Sequence, residues 1–172
     1  MIINGIKIPR ELENLDGHCG PLSLWLVLNS FGQQISPSEI IKQSKYTKKY
    51  GTFTISLAVA LKRWGYKVDF YSDPDPNPKP IEIKSYKEAE GLGIRVQPPL
   101  SIEDLLAEIQ NGKTVIVYYN TPEDQGHYSP LLGKNGEYLL LPLADGGKVR
   151  ESDFIKYRQA PEIYRQSISI TK

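Results

Sequence analysis

The chain has 172 residues, of which 40% are hydrophobic and 24% charged, and its 21 basic and 20 acidic side chains leave a net charge of +1. This balance is ordinary for a globular protein and excludes the strongly basic surface on which nucleic-acid binding depends. One cysteine cannot form an internal disulfide, and with two histidines it is too small a ligand set for a structural zinc site, so we expect no bound metal and no cofactor.

The length and the distribution of apolar residues predict a single domain, residues 1–172. A chain of this size can bury a core of its own, and no apolar run is long enough to predict a membrane span. The first ten residues resemble a strand more than a secretion signal. We therefore expect a cytoplasmic protein.

The first strong helix signal begins at Cys19. Apolar side chains cover most of a helical wheel over residues 22–31, which indicates a helix that is buried on nearly all sides. Pro21 suits the first helical turn, and Gly32 suits the stop after the last one. Cys19 is therefore predicted at the N-terminus of this helix.

Two further helices are predicted before the character of the chain changes. A capping box opens at Ser36, and apolar residues keep helical spacing from residue 53 to residue 64. Residues 66–71 alternate like a strand. Prolines at every second position from 74 to 80 then predict an extended, exposed segment inside the domain.

The second half of the chain is dominated by strand patterns. A second capping box at Ser101 starts a helix to about residue 110. Residues 114–119, 127–132 and 138–141 are then predicted as an antiparallel meander, followed by a short helix from Glu151 and a closing strand over residues 163–170. Helices first and an antiparallel sheet second predict an α+β domain.

Cys19 is the first candidate for chemistry. A thiol reacts as the thiolate, and a helix N-terminus favours that anion. Gly17 and Gly20 would let a substrate backbone approach and would leave main-chain N–H groups free to stabilise an oxyanion. Because a single free cysteine is more often a small buried apolar residue, its role depends on a partner.

His127 is the candidate partner, at the start of a predicted strand. A neutral imidazole there could accept the thiol proton and later protonate a leaving amine. Asp145, just after the next strand, is the best-placed residue to orient the imidazole, although a turn aspartate before two glycines is an equally good interpretation. His18 is expected to modulate the site at most.

Four motifs occur in a fixed order along nearly the whole chain. They are Asp16-Gly-His-Cys-Gly-Pro, a Ser36-Pro-Ser-Glu helix, a helix that ends at Gly65, and Gly126-His-Tyr before a strand. Together they resemble the bacteriocin-processing peptidases, which cut leader peptides after a double glycine and belong to the papain-like superfamily. The resemblance implies an N-terminal helical half that packs its nucleophile helix against a C-terminal antiparallel sheet, with Cys19 as nucleophile and His127 as base.

The chain departs from that family at three places. It has His18 where the family has aspartate, and Leu141-Pro142 where the family has an aspartate–proline pair, so that Asp145 lies a few residues late. It has Glu13 where the family has a glutamine whose amide helps to hold the oxyanion. An ionised Glu13 would repel that oxyanion, so it is protonated, Asn14 takes over, or the oxyanion function is lost.

Two classes of function are compatible with these residues. The first is a cysteine peptidase-like hydrolase or acyl-transfer enzyme that acts on a peptide or amide bond through an acyl-enzyme at Cys19, whether as peptidase, deamidase or transpeptidase. The second is a catalytically inactive papain-like domain that binds a peptide or protein partner. Glu13 and the missing aspartate–proline pair favour the second function, whereas retention of Cys19 and His127 favours the first.

Overall fold

A computed structural model describes every residue except Met1 and Asn4. Within this part of the chain the helices are α1 (Arg10–Glu13), α2 (Cys19–Ser30), α3 (Pro37–Gln43), α4 (Thr54–Arg63), α5 (Pro80–Gly91), α6 (Ile102–Gln110) and α7 (Glu151–Arg158). The strands are β1 (Ile2–Ile3), β2 (Ile6–Lys7), β3 (Lys67–Tyr71), β4 (Val96–Gln97), β5 (Thr114–Asn120), β6 (Gly126–Leu131), β7 (Gly133–Asn135), β8 (Tyr138–Leu140), β9 (Lys148–Arg150) and β10 (Ser167–Thr171). A 3-10 turn, Asp145–Gly147, precedes β9.

The helical half is built around α2, which begins at Cys19 as its sequence predicts. Nine residues of α2 are buried, in agreement with apolar side chains on nearly all sides of its wheel. Half of the predicted capping box is present at the start of α3: Ser36 Oγ accepts a hydrogen bond from the Glu39 backbone N–H at 3.3 Å, whereas the Glu39 side chain accepts one from Gln43 Nε2 at 2.7 Å. α4 packs beside α2 with eight buried residues.

A five-stranded sheet lies against these helices, in the order β4-β3-β10-β5-β6. The closing strand β10 occupies the middle, antiparallel to β3 on one side and to β5 on the other. β6 is the edge strand that carries His127, and Tyr119 of β5 is paired with it. The last strand of the chain therefore joins the N-terminal half to the strand pair that holds the candidate base.

The structure corrects the prediction of a simple antiparallel meander. β3 and β4 pair in parallel, connected by α5, and β7, β8 and β9 form a separate three-stranded sheet. The chain leaves β6 at Gly133, whose φ of +139° is accessible mainly to glycine. Alternation of apolar residues indicates a strand but not its partner, so these pairings were not visible in the sequence.

Two other local differences lie in polar or proline-rich stretches. Helix α1 forms in a polar stretch for which the sequence predicts no helix, and α5 begins at Pro80, where the sequence predicts only extended chain. Proline fits the first turn of a helix because it lacks only an N–H that would be unpaired there. The N-terminal residues form a small hairpin of β1 and β2 rather than one strand, and Met1 and Asn4 lie outside the described residues.

The two faces of the five-stranded sheet bury separate hydrophobic clusters. Side chains on one face, such as Ile116, pack with α2 and α4, and those on the other, such as Val117, pack with Phe154 of α7. Tyr128 belongs to the first face, whereas Tyr119, next to His127, belongs to the second. Among the described helices none is both long and apolar enough to cross a membrane.

Candidate active site

Cys19 is the first residue of α2 and is only 8% exposed. Burial raises the pKa of its thiol, because a thiolate would lose solvation, while the backbone N–H groups of Tyr128, Gly20 and Cys19 itself act in the opposite direction. Burial is the larger effect. The thiol is therefore neutral at pH 7, and the helix N-terminus does not by itself produce a resting thiolate.

The glycines beside Cys19 allow two chain segments to pack closely. A Cβ on Gly20 would lie 3.0 Å from Thr52 Cβ, and Gly17, with a φ of +69°, lies against Gly51. The segment that precedes α4 thus covers this side of the helix N-terminus. The close contact favours glycine at position 20, and the positive φ favours glycine at position 17; the sequence pattern indicated neither role.

The ring of His127 is held by a backbone carbonyl. Its Nε2 lies 2.9 Å from the oxygen of Leu143. A carbonyl oxygen can only accept, so Nε2 carries the hydrogen and the lone pair of the neutral ring is on Nδ1. The position of Leu143 is fixed in turn by a hydrogen bond that its N–H donates to the buried Ser129 Oγ at 3.2 Å.

The surroundings of His127 favour its neutral form. Burial lowers the pKa of the ring and is the largest effect, and the charge of nearby His18 lowers it further. The Leu143 carbonyl and the charge of Asp145 raise the pKa, but by less. A neutral ring with its lone pair on Nδ1 is suited to accept a proton.

Asp145 lies near His127 without taking the hydrogen bond predicted for it. Its exposed side chain begins the 3-10 turn and lines a cavity together with His127. Among the described residues, the hydrogen bond recorded for the His127 ring goes to Leu143. An orienting role for Asp145 stays a prediction, and the backbone carbonyl in that place could not be identified from residue types.

The structure brings the nucleophile helix and the histidine strand together at one residue. The backbone N–H of Tyr128, the residue after His127, is directed at the Cys19 sulfur, and α2 packs along β6. Within the described part of the chain, no hydrogen bond is recorded between Cys19 Sγ and the His127 ring. The two groups are thus placed on adjoining elements, and their function as a catalytic pair is a proposal.

Glu13 and Asn14 lie at the end of α1. Glu13 is half-buried as the last residue of this helix, and Asn14 is exposed, its backbone N–H donating to Arg10 O at 3.0 Å. α1 packs against α2, and Leu12 belongs to the same hydrophobic cluster as Cys19. The part of Glu13 or Asn14 in holding an oxyanion stays a prediction.

Two cavities lie beside the histidine end of β6. One of about 610 Å³ lies on the side of His127 and is lined by Tyr119, Leu143 and Asp145, among others. The other, of about 230 Å³, lies on the side of Tyr128, between the helical half and the sheet. We call the second one the acidic cavity, since Asp75, Glu82 and Glu162 line it.

Glu82 provides a test of the electrostatics of the acidic cavity. Burial, with the nearby charge of Asp75 as a smaller cause, raises the pKa of this carboxyl to about 7. The native state then binds more protons than the unfolded chain between about pH 4.3 and pH 7, so the contribution of Glu82 to stability falls as pH rises through that window. We expect Glu82→Gln to raise the melting temperature at pH 8 and to change it little at pH 4.

The control for this measurement is Glu90→Gln, the same substitution at an exposed position of the same helix α5. It should leave the melting temperature unchanged at both pH values. An equal gain for Glu82→Gln at pH 4 and pH 8 would show that ionisation of Glu82 is not its cause.

Comparison with known proteins shows similarity at the level of structure. No protein-family model and no curated protein matches the sequence. The peptidase domain of Streptococcus ComA, a bifunctional ABC transporter involved in a quorum-sensing pathway, superimposes with a TM-score of 0.55 and 16% identity, over 96% of this chain and 94% of that one. A double-glycine motif protease from an AMS/PCAT transporter, in complex with the leader peptide, superimposes with a TM-score of 0.53 and 14% identity, over 90% of this chain and 84% of that one.

These similarities confirm the fold that the ordered motifs implied. The α+β fold of this chain, with a helical half against a mixed five-stranded sheet, superimposes on both domains over 84% or more of each chain. At identities of 14% and 16% the similarity concerns the fold and not the activity. The chain has the papain-like fold of the bacteriocin-processing, double-glycine peptidase domains.

Proposed function

We propose that this chain is a cysteine peptidase-like enzyme that hydrolyses or transfers a peptide or amide bond through an acyl-enzyme at Cys19, with His127 as general base. The observation that carries the proposal is the state of the His127 ring. Its hydrogen bond to the Leu143 carbonyl leaves the lone pair on Nδ1, and the strand that carries it contacts the Cys19 sulfur. A base and a nucleophile on adjoining elements are the minimum that this chemistry needs.

The pKa directions of the two groups favour a general-base mechanism. The pKa of Cys19 is raised and that of His127 is lowered, so the resting pair is a neutral thiol and a neutral imidazole. His127 Nδ1 takes the proton as the sulfur attacks the carbonyl carbon, and the imidazolium returns it to the leaving amine. Water or an acceptor amine then attacks the thioester, with His127 again as base, and restores the thiol.

The reaction needs a rearrangement that brings the two side chains together. Because Cys19 Sγ and the His127 ring share no hydrogen bond in the described residues, Nδ1 must come within reach of the sulfur as the substrate carbonyl arrives. Catalytic hydrogen bonds often tighten only in the substrate complex. The backbone N–H groups of Cys19 and Gly20, which lie against the sulfur in the resting protein, would then face the developing oxyanion.

A peptide is the substrate class that we propose. One structural neighbour is a double-glycine motif protease in complex with the leader peptide. In this chain the acidic cavity opens between the helical half and the sheet, beside Tyr128 and Thr52, which border the N-terminus of α2. The direct test is incubation with a peptide library, followed by mass spectrometry for cleaved products and for a thioester on Cys19.

Alkylation of Cys19 tests the proposed resting state. We expect iodoacetamide to modify the folded protein slowly at pH 7, with a rate that still rises above about pH 8.5, where an ordinary cysteine is half ionised. The same chain unfolded in urea, with one cysteine and hence one reactive site, is the control and should follow the ordinary profile. A rate plateau below pH 7 in the folded protein would instead indicate a preformed thiolate–imidazolium pair.

Burial of the thiol supports a second candidate function, a catalytically inactive domain that binds a peptide. Cys19 is 8% exposed and is not among the residues that line the two cavities beside β6. A single measurement distinguishes the two functions. An enzyme forms a thioester with an activated peptide ester and turns it over, whereas an inactive binder retains the peptide without forming an adduct.

A further inference from the structure

The acidic cavity lies next to the residues that surround Cys19. Thr52, which packs against Gly20, and Tyr128, whose N–H is directed at the Cys19 sulfur, both line it. Tyr118 also lines it, and its pKa is raised to about 12 by burial first and by charge on Cys19 second. A substrate held at Cys19 would therefore have a neighbouring side chain within reach of this cavity.

The walls of the cavity carry an excess of negative charge. Asp75, Glu82 and Glu162 contribute carboxyl groups, whereas Lys79 is the lining residue that contributes a cation, and it is exposed. Glu82 is only 4% exposed, and one of its oxygens accepts a weak, 3.4 Å hydrogen bond from the Lys79 backbone N–H. Negative charge this close to a buried carboxyl is unfavourable unless a proton or a cation accompanies it, and above about pH 7, where Glu82 ionises, only a cation can do so.

A buried hydroxyl at the same wall has no partner. Thr52 is 6% exposed, and its Oγ1 makes no hydrogen bond, whereas its backbone oxygen accepts one from Tyr128 Oη at 2.9 Å. Unpaired buried polar atoms are uncommon in native proteins, and they mark places where a further group is needed. Because this oxygen is enclosed beside Gly20, an N–H donor bound in the cavity would reach it only after a rotation of the Thr52 side chain.

Aromatic faces complete the lining. Tyr118 and Tyr128 stack with their ring centroids 4.5 Å apart, and Tyr50 and Tyr164 lie around the cavity. Carboxylates and tyrosine rings together form a setting in which a lysine ammonium or arginine guanidinium is stabilised by ion pairing and by cation–π contact. A carboxylate or phosphate ligand would instead meet like charges.

An ion pair joins two chain segments that line the cavity. Arg165 Nε and Nη2 donate to Asp73 at 2.8 and 2.6 Å, and the Asp73 N–H donates to Tyr164 O at 2.8 Å. These bonds join the proline-rich segment, which carries Asp75, to the loop that carries Glu162. The charged walls are thus held together without a ligand, which reduces the cost of ordering them on binding.

We infer that the acidic cavity is a subsite for a lysine or arginine side chain of the peptide substrate, held by Glu82, Asp75 and Thr52 Oγ1 against the tyrosine rings. This inference rests on the proposed peptidase function for its biological meaning. The binding itself requires only the cavity, so it is measurable in a protein that cannot catalyse.

The test uses the full-length Cys19→Ala protein, titrated with Nα-acetyl-arginine amide and, as an uncharged isostere, Nα-acetyl-citrulline amide. Backbone amide shifts of Thr52 and Gln166, both in the lining, report binding by nuclear magnetic resonance. At pH 8 we expect saturable shifts with the arginine compound and an affinity lower by about tenfold or more with citrulline, the loss typical of one charge-assisted hydrogen bond. Glu82→Gln should weaken arginine binding by about tenfold as well.

Glu90→Gln is the matched control, because it removes the same charge from the exposed side of the same helix, and it should leave the arginine affinity unchanged. Equal affinity for the two compounds, equal effects of Glu82→Gln and Glu90→Gln, or shifts confined to other parts of the chain would overturn the subsite. Cleavage by the wild-type protein is scored separately. Arginine binding without any cleavage would contradict the proposed peptidase function but support the cation site. Cleavage without arginine binding would support the peptidase function but contradict the cation site.

Discussion

Replacing Cys19 with alanine is expected to abolish peptide cleavage, and replacing His127 with alanine is expected to lower kcat by a factor of about 10⁴ or more. The sulfur forms the covalent bond of the acyl-enzyme, and no second cysteine is available to replace it. The imidazole is needed twice, to take the thiol proton and to protonate the leaving amine. The measurement is turnover of a peptide selected from the library with the wild-type protein.

The other histidine of the chain is a matched control for His127. His18→Ala should retain kcat within about tenfold, since the His18 ring contacts the backbone oxygen of Leu15 and takes no part in the proposed proton transfers. Loss of its charge should raise the pKa of His127, so the acidic limb of the kcat/KM profile should move to higher pH. Unchanged cleavage by Cys19→Ala, or equal losses for His18→Ala and His127→Ala, would contradict the proposed roles.

Gly126→Ala should destabilise the protein by about 2 kcal/mol, as overpacking of a filled site does. A Cβ at residue 126 would lie 1.9 Å from Tyr118 Oη and 2.6 Å from Tyr118 Cζ. The Tyr118 ring cannot move away freely, because it is stacked on the buried Tyr128. The displaced ring would also disturb the strand at His127, so we expect a lower kcat together with a lower midpoint of urea unfolding.

The control is Gly91→Ala at the end of α5, where a Cβ meets nothing within 4 Å and no positive φ is recorded. There the alanine should stabilise the protein by about 0.5–1 kcal/mol through helix propensity and chain entropy. Adding Tyr118→Ala to Gly126→Ala should cost less than the sum of the two single changes, because the clash is then absent. Strict additivity of the two changes would place the cause of the destabilisation elsewhere.

Elements stabilised by local interactions were predicted from the sequence. The N-cap hydrogen bonds at Ser36 and Ser101 join atoms three residues apart, and the apolar wheel of α2 follows from its residues alone. These signals determine where a helix begins and which faces it buries, whatever lies beside it. Strand partners depend on contacts between distant segments, so neither the central position of β10 nor the parallel pair of β3 and β4 could be predicted.

The elements that the sequence did not predict also have specific physical causes. The alternating prolines predict that Pro80 belongs to an extended segment, although in the structure it is the first residue of α5. A proline at that position is compatible with both, and only the packing of α5 against α4 decides between them. Likewise, the alternating residues that follow Leu132 indicate strands but do not show that Gly133 directs them into a second sheet.

The sequence by itself determined the starting points of the candidate site. It placed Cys19 at the start of a buried helix and His127 at the start of a strand, because both positions follow from local pattern. The tertiary structure decided the environment of these groups. The Leu143 carbonyl holds the imidazole, burial keeps the thiol neutral, and the acidic cavity opens beside them. A backbone oxygen is the same in every residue, and solvent exclusion is a property of the assembled fold, so neither can be read from residue identity.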